Sequence, residues 1–238
     1  MALETLYIIE GIFSLAFVIV SFIIGLKIIS RYFLHKQKLL IYVGISIIVI
    51  SETWWPSSIS MLVGLINGVG INPQLYILLG VVLIPIVILF WLAAFTEMLY
   101  KDKKKLILLI FLIEGIIFEI YFLSTLFTDP SLLGEMQSPV NMKYKGVVIV
   151  YLLVHLIIML ITGVIFGLES LKSENKEIKL KGKLIIIAFI SFTIGAAIDA
   201  LFPYGFVIAR IILITSSIEF YGGFILPDWM RKIFIKQE

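Results

Sequence analysis

Residues 101–127 read KDKKKLILLIFLIEGIIFEIYFLSTLF: a lysine-rich start, then an apolar run from Leu106 to Phe127 that is interrupted by only two charged side chains. Such a run matches the roughly 20 residues that an α-helix needs to cross a bilayer. Six further runs of this kind fill the 238-residue chain, which is 61% hydrophobic and only 15% charged. These proportions are typical of an integral membrane protein.

The sequence therefore predicts an all-α, polytopic membrane protein: one domain, residues 1–238, forming a bundle of seven transmembrane helices. The apolar runs lack the alternation of a membrane β-barrel. The first run has no basic segment before it, so it is predicted to be a span and not a cleavable signal. The spans are predicted at about 5–29, 39–61, 75–100, 106–127, 147–168, 184–202 and 205–225.

The lysines and arginines predict the orientation of the bundle. Sixteen of the nineteen follow spans one, three, five and seven: Lys27, Arg31, Lys36, Lys38, Lys101, Lys103, Lys104, Lys105, Lys172, Lys176, Lys179, Lys181, Lys183, Arg231, Lys232 and Lys236. Because basic loops stay in the cytoplasm, the N-terminus is predicted outside and the C-terminus inside, in a multi-pass protein of the plasma membrane. The pI near 8.9 then reflects these flanks, and no nucleic-acid partner is expected.

The chain contains no cysteine and two histidines, His35 and His155. Disulfides, thiolate nucleophiles and cysteine metal sites are excluded, and two histidines do not build a multi-histidine zinc site. We expect no cofactor, no metal and no enzymatic activity.

Ionisable side chains inside a span cost several kcal/mol unless they are paired or hydrated, so each is a candidate functional residue. At about 1.5 Å per residue, Glu52, Glu119 and Asp199 lie at one depth, roughly 20 to 25 Å from the basic edge. Glu10 and His155 are predicted close to that depth. The candidates for a ligand site or an ion pathway are Glu10, Glu52, Trp55, Glu119, His155, Asp199, Arg210 and Glu219.

Asp199 and Arg210 lie at matched depth on either side of the short turn near residue 203, so they are predicted to form an ion pair between spans six and seven. The pair is either a structural clamp or a pair for which a ligand competes. The remaining acids exceed the available cations. They are expected to be protonated, hydrated, bonded to neighbouring hydroxyls or bound to a cation.

The segment Ser51 to Pro56, SETWWP, combines a carboxyl, two indoles and a helix breaker, which predicts a kink beside a charge. If Glu52 and Trp55 face inward, they form a pocket suited to an ammonium group. Alternatively, the indoles belong to the aromatic belt at the membrane surface. A second charged segment, residues 169–183, is predicted to extend span five as a solvated helix. It is interpreted either as a charged loop that anchors anionic lipid or as a docking surface for a partner.

A weak internal repeat is visible: Glu52, Trp55 and Pro56 recur in type as Asp199, Phe202 and Pro203, and Gly25-Leu26 recurs as Gly167-Leu168. This predicts that spans one to three and five to seven are parallel repeats, with span four as a linker. The arrangement resembles that of PQ-loop and SWEET transporters, although the Pro73-Gln74 dipeptide lies in a predicted outer loop. Retinal binding as in microbial rhodopsins is excluded, because span seven has no lysine.

Three functions remain open at this level. The first is a sensor or receptor-like protein that binds a small ligand in the outer half of the bundle and signals through a cytoplasmic partner at the lysine-rich loops. A cation is one candidate for this ligand. The alternative is a small-solute or proton-coupled transporter that uses the carboxyls as a relay. The third is a structural subunit of a membrane complex. The lipid bilayer is a partner in all three.

Overall fold

The computed structural model of the chain describes residues 3–202 and 205–235. Within these ranges, seven apolar helices are long enough to cross a membrane, which confirms the predicted all-α membrane class. Pro203 of the proposed repeat and Lys236 of the basic flank lie outside the described residues.

Span one is the single helix α1, Thr5–His35. Span two consists of α2, Lys38–Val49, and α3, Trp55–Asn67, and span three of α4, Pro73–Val81, and α5, Ile84–Leu99. Spans four to seven are α6, Lys104–Thr128; α7, Gly146–Leu171; α8, Lys176–Leu201; and α9, Phe206–Phe224. A short α10, Asp228–Phe234, follows span seven, and strands β1, Gly134–Ser138, and β2, Asn141–Tyr144, form an antiparallel hairpin after span four.

One predicted extension is wrong. Residues 169–183 do not continue span five as a helix, because α7 ends at Leu171 and a new helix starts at Lys176. The side chain of Asn175 accepts hydrogen bonds from the backbone N–H groups of Glu177 and Ile178, and this N-cap begins α8. Lys176, Lys179, Lys181 and Lys183 therefore extend span six, whereas Lys172 follows the end of span five.

Spans two and three are both interrupted near their middles. A short 3-10 turn, Glu52–Trp54, separates α2 from α3, and Pro56 lies in the first turn of α3. Pro85 occupies the same kind of position in α5. Since proline lacks an N–H and its ring clashes with the carbonyl four residues earlier, both helices break just before it.

Six of the spans pack as a closed ring in the order one, two, three, five, six, seven, in which span seven returns to span one. The contacts of spans one to three repeat in spans five to seven: one packs on two as five packs on six, and two on three as six on seven. Span four lies outside the ring, packed on span three, and few of its side chains are buried. This arrangement has the form of two parallel three-helix units joined by a linker span.

Two glycine pairs hold equivalent helices together. A Cβ atom on Gly25 would lie 2.6 Å from the carbonyl oxygen of Gly44, and one on Gly44 would lie 2.7 Å from that of Gly25. Gly167 and Gly182 repeat this contact between spans five and six, at 2.8 and 2.7 Å. Only glycine allows the backbones to approach this closely.

The same glycines correct the proposed repeat of the acids. Glu52 lies eight residues after Gly44 (52 − 44), whereas Asp199 lies seventeen after Gly182 (199 − 182), so the two acids are not equivalent. Trp54 and Phe192 each lie ten residues after their glycine, and their rings meet at 6.1 Å between centroids. The equivalent positions of spans two and six therefore touch across the middle of the ring, which closes it with aromatic side chains.

The predicted cytoplasmic loops come together at one end of the bundle, called the basic end below. Lys104 contacts Glu97 at 2.5 Å and lies 4.8 Å from the ring centre of Tyr42 near the start of span two. Arg231 of α10 lies 3.5 Å from Glu177 at the start of span six. The hairpin lies at the opposite end, between spans four and five.

The orientation of the bundle stays a prediction, and cysteine labelling tests it directly because the chain has no native cysteine. We expect a membrane-impermeant maleimide to label Ser131→Cys, near the hairpin, from outside intact cells. Ser173→Cys, at the basic end, is expected to react only after the membrane is opened. Labelling of both positions from the same side would contradict the predicted topology.

Candidate functional site

Arg210 on α9 is the centre of a buried cluster at the hairpin end. The side chain is 3% exposed, and its guanidinium forms an ion pair with Asp199 on α8. Nη2 lies 3.9 Å from Oε1 of Glu10 on α1, and Nε donates a hydrogen bond to Oγ of Ser14 at 3.1 Å. We call these residues, together with Asn141, the Arg210 cluster.

Polar and aromatic neighbours hold the Arg210 cluster in place. Nε1 of Trp54 donates to Oδ2 of Asp199 at 2.9 Å, and the guanidinium carbon lies 5.8 Å from the centre of a Trp54 ring, a cation–π distance. Ser57 on α3 shares a hydrogen bond with Ser14 at 3.0 Å. Spans one, two, six and seven thus meet at one guanidinium.

The hairpin covers this end of the bundle and places side chains into it. Nδ2 of Asn141 donates to Oε1 of Glu10 at 2.6 Å, so β2 contributes directly to the Arg210 cluster. Tyr76 on α4 donates its hydroxyl to the carbonyl oxygen of Val140 at 2.7 Å, and Ser60 on α3 donates to that of Pro139. Val140 is fully buried at the tip of the hairpin. The hairpin is therefore a packed lid and not a solvated loop.

Glu52 lies where the two interrupted spans meet. Its side chain is 0% exposed, and Oε1 accepts a hydrogen bond from the backbone N–H of Leu83 at 2.7 Å. Leu83 is the N-cap of α5, so the carboxylate lies at the positive end of that helix. The other oxygen, Oε2, has no partner among the described residues. Part of a buried carboxylate is thus left unsatisfied.

Two further polar groups near Glu52 are also unsatisfied. Glu119 on α6 is near enough to repel a charge on Glu52, and its Oε1 has no partner in the described part of the chain. The hydroxyl of Tyr144, at the end of β2, approaches Gly80 and also lacks a partner there. Burial and the nearby Glu52 carboxylate raise the pKa of Tyr144, so this hydroxyl keeps its proton. We call Glu52, Glu119 and Tyr144 the Glu52 cluster.

A second group of titratable side chains continues from Glu119 between spans four and five. Tyr151 interacts with Glu119 and donates its hydroxyl to Oε2 of Glu114 at 3.3 Å. The same oxygen lies 3.5 Å from Nε2 of His155. Nδ1 of His155 is 2.8 Å from the carbonyl oxygen of Tyr151, which can only accept, so Nδ1 carries a proton. Tyr151, Glu114 and His155 therefore form one connected group beside Glu119.

The structure separates the predicted site residues into these groups and leaves two of them aside. Glu10, Asp199 and Arg210 meet in the Arg210 cluster, and Glu52 and Glu119 belong to the Glu52 cluster. His155 lies in the neighbouring group with Tyr151 and Glu114. The ring of Trp55 packs on that of Phe22, with 5.6 Å between centroids, and its Nε1 donates a hydrogen bond to Oγ of Ser51. The neighbouring Trp54 is the indole that is buried inside the bundle. Glu219 lies elsewhere, beside Ser191 between spans six and seven.

Chemically, the two clusters differ in what they can still bind. The Arg210 cluster already contains a cation that two carboxylates share. The Glu52 cluster has two carboxyls and a phenol but no basic partner in the described ranges, and it therefore favours a cation. Across residues 3–202 and 205–235, no three His, Asp or Glu side chains are grouped to hold a metal ion.

No protein-family model matches the chain, and neither a curated protein nor a solved structure is significantly similar to it.

Proposed function

We propose that this chain is a non-enzymatic, receptor-like membrane protein that binds a small cation at the Glu52 cluster and passes the change to a partner protein at the basic end. The proton is the smallest candidate, and a monovalent ion or an ammonium group has the same charge. The ligand is expected in the half of the bundle that carries the hairpin.

One observation carries this proposal: a wholly buried carboxylate with one oxygen bonded to Leu83 and the other without a protein partner. Charge buried in this way is unfavourable unless a proton or another cation neutralises it. Arg210 does not provide the counter-charge for Glu52, because Asp199 and Glu10 already engage its guanidinium. The Glu52 cluster therefore gains the most when a cation binds.

We expect helix α5 to transmit the change from the Glu52 cluster to the basic end. Its first turn contacts Glu52 through Leu83, and near its far end Glu97 bonds to Lys104. Between these ends Trp91 is buried and donates to Thr162 of span five at 2.7 Å. A helix fixed in this way moves as a unit, so a change in the bond to Leu83 would reach the lysine-rich loops.

Glu52→Gln tests the proposal. For the purified wild-type protein in detergent, we expect thermal stability to rise as pH falls through the range in which Glu52 takes up its proton, or to rise with added sodium or methylammonium. Binding to the folded state alone adds about 1.4 to 2.7 kcal/mol at ten to a hundred times the dissociation constant. In Glu52→Gln this dependence is expected to disappear, because the amide is neutral and its oxygen still accepts from Leu83.

The matched control is Glu135→Gln, which removes an exposed carboxylate that Lys145 engages on the hairpin. Lys145 lowers the pKa of Glu135 through a hydrogen bond at the surface, so this variant is expected to keep the wild-type response. The proposal fails if wild type responds to neither pH nor cations, or if Glu52→Gln responds as wild type does.

A transporter is the second candidate, and the two parallel three-helix units with interrupted helices favour it. The same variants distinguish the two functions in proteoliposomes. A cation flux that is lost in both Glu52→Gln and Glu119→Gln would support transport, whereas cation binding without flux supports the receptor.

A further inference from the structure

A polar cleft of about 460 Å³ opens at the basic end, away from both buried clusters. It lies between the end of α1, the start of α2, the first turns of α8 and the turn that joins α9 to α10. Its charged side chains are Arg31, Lys181 and Asp228, and the imidazole of His35 lies beside them. Its volume is in the range of small-ligand sites in proteins.

Protein acids neutralise the basic groups of this cleft only in part. Among the described residues, neither Arg31 nor His35 forms an ion pair with a carboxylate. Lys181 contacts the carbonyl oxygen of Phe224 at 3.5 Å and is attracted by the carboxylate of Glu177, which Arg231 also contacts. The acid of the cleft, Asp228, is engaged by Arg231 at 2.8 Å. A net positive charge thus remains in a concave site.

The walls of the cleft are fixed by packing. Leu226 adopts a positive φ of 50°, which turns the chain sharply after α9. The side chain of Met230 on α10 is buried, and its sulfur lies so close to Gly222 that a Cβ there would be 2.5 Å away. α10 is therefore held against span seven, and the cleft is part of the fold and not a gap beside a loose terminus.

Exposed apolar side chains at the same end indicate that the cleft meets the membrane surface. Phe33 and Leu34, at the end of α1, are 68% and 69% exposed, and Trp229 and Phe234 on α10 are 52% and 59% exposed. Large aromatic side chains next to basic ones are typical of the boundary between headgroups and acyl chains. A ligand in the cleft would therefore have one end in lipid.

We infer that this cleft binds the phosphate headgroup of an anionic phospholipid. The guanidinium of Arg31 suits a phosphate because it donates two parallel hydrogen bonds, and the ammonium of Lys181 adds a point charge from the opposite wall. A free phosphate compound offers the same anion but no acyl chains. The exposed apolar side chains beside the cleft favour the lipid.

The test compares lipid retention by the full-length protein, measured by native mass spectrometry after purification from vesicles that contain phosphatidylcholine and phosphatidylglycerol. The variant is Arg31→Gln with Lys181→Gln, and the matched control is Lys103→Gln with Lys105→Gln, exposed lysines at the same end. We expect the first pair to bind phosphatidylglycerol about tenfold more weakly, and the control to bind as wild type does. Phosphatidylcholine retention is expected to stay unchanged.

Two further measurements keep the outcome decisive. Lys181→Arg preserves the charge and is expected to retain the lipid, which separates charge from misfolding. Soluble glycerol phosphate is expected to compete weakly. The inference is overturned if the Arg31 and Lys181 variant retains phosphatidylglycerol as wild type does, or if glycerol phosphate binds as tightly as the lipid, which would assign the cleft to a soluble anion.

Discussion

Arg210→Leu is expected to lower the free energy of unfolding by about 3 to 5 kcal/mol. The substitution removes the guanidinium that Asp199 and Glu10 share, and it leaves two largely buried carboxylates without a counter-charge. The loss is measured by denaturation of the purified protein in detergent, followed by tryptophan fluorescence. Trp54 is a suitable reporter because it lies 5.8 Å from the guanidinium carbon.

Arg231→Leu is the control for this prediction. Arg231 also contacts two acids, Asp228 and Glu177, but at the surface, where such pairs contribute about 0 to 1 kcal/mol. Adding Asp199→Asn to Arg210→Leu is expected to recover part of the loss, since the amide oxygen still accepts from Nε1 of Trp54. An Arg210→Leu protein that unfolds like wild type would show that the cluster does not clamp the spans.

The membrane class could be predicted from the sequence because bilayer thickness imposes a length on each span, and the apolar runs have that length. The ends of the helices were harder to predict. α1 continues to His35 and α8 starts at Lys176, since polar residues outside the lipid extend a helix as readily as apolar ones inside it. The hydrophobic pattern reports where lipid begins and not where the helix does.

The Glu52 cluster could be predicted only in part. SETWWP indicated a kink beside a carboxyl, and the structure has one there. The partner of that carboxyl, the N–H of Leu83, depends on a second break at Pro85 and on the packing of span two against span three. The spacing of residues within one span does not predict a contact between two spans.

The hairpin explains the residues that sequence reasoning missed. Residues 134–144 read GEMQSPVNMKY, a charged and polar stretch that resembles an ordinary outer loop. Its burial pattern arises from contacts of the tip with three different spans, so Asn141 and Tyr144 enter the two clusters without any local signal. The adjacent indoles of Trp54 and Trp55 were equally hard to assign, because the 3-10 turn decides which of them faces inward.

Gly44→Ala and Gly182→Ala are each expected to lower the free energy of unfolding by about 1 to 3 kcal/mol, although alanine favours the helix itself. Each new methyl group would meet a backbone carbonyl oxygen, of Gly25 and of Gly167, at 2.7 Å. Backbone cannot move aside as a side-chain end does, so the two helices must separate. Thermal and denaturant unfolding of the purified variants measures the loss.

Gly222→Ala is the matched control, because the new Cβ would meet the ends of the Met230 and Leu184 side chains, at 2.5 and 2.9 Å, and these can rotate away. We expect it to change stability by less than about 1 kcal/mol. If the Gly44 and Gly182 variants are no less stable than this control, the close backbone contacts do not hold the units together.

The double variant Gly44→Ala with Gly182→Ala tests whether the two glycine contacts are independent. The two contacts lie in different three-helix units of the ring, so their losses are expected to add within about 0.5 kcal/mol. Equal and additive losses would mean that the same kind of glycine contact holds each unit together. Glu52 belongs to the first unit, and the equivalent position in the second unit is Ile190 (182 + 8). The packing of the two units would then be symmetric, whereas the buried charge lies in the first unit alone.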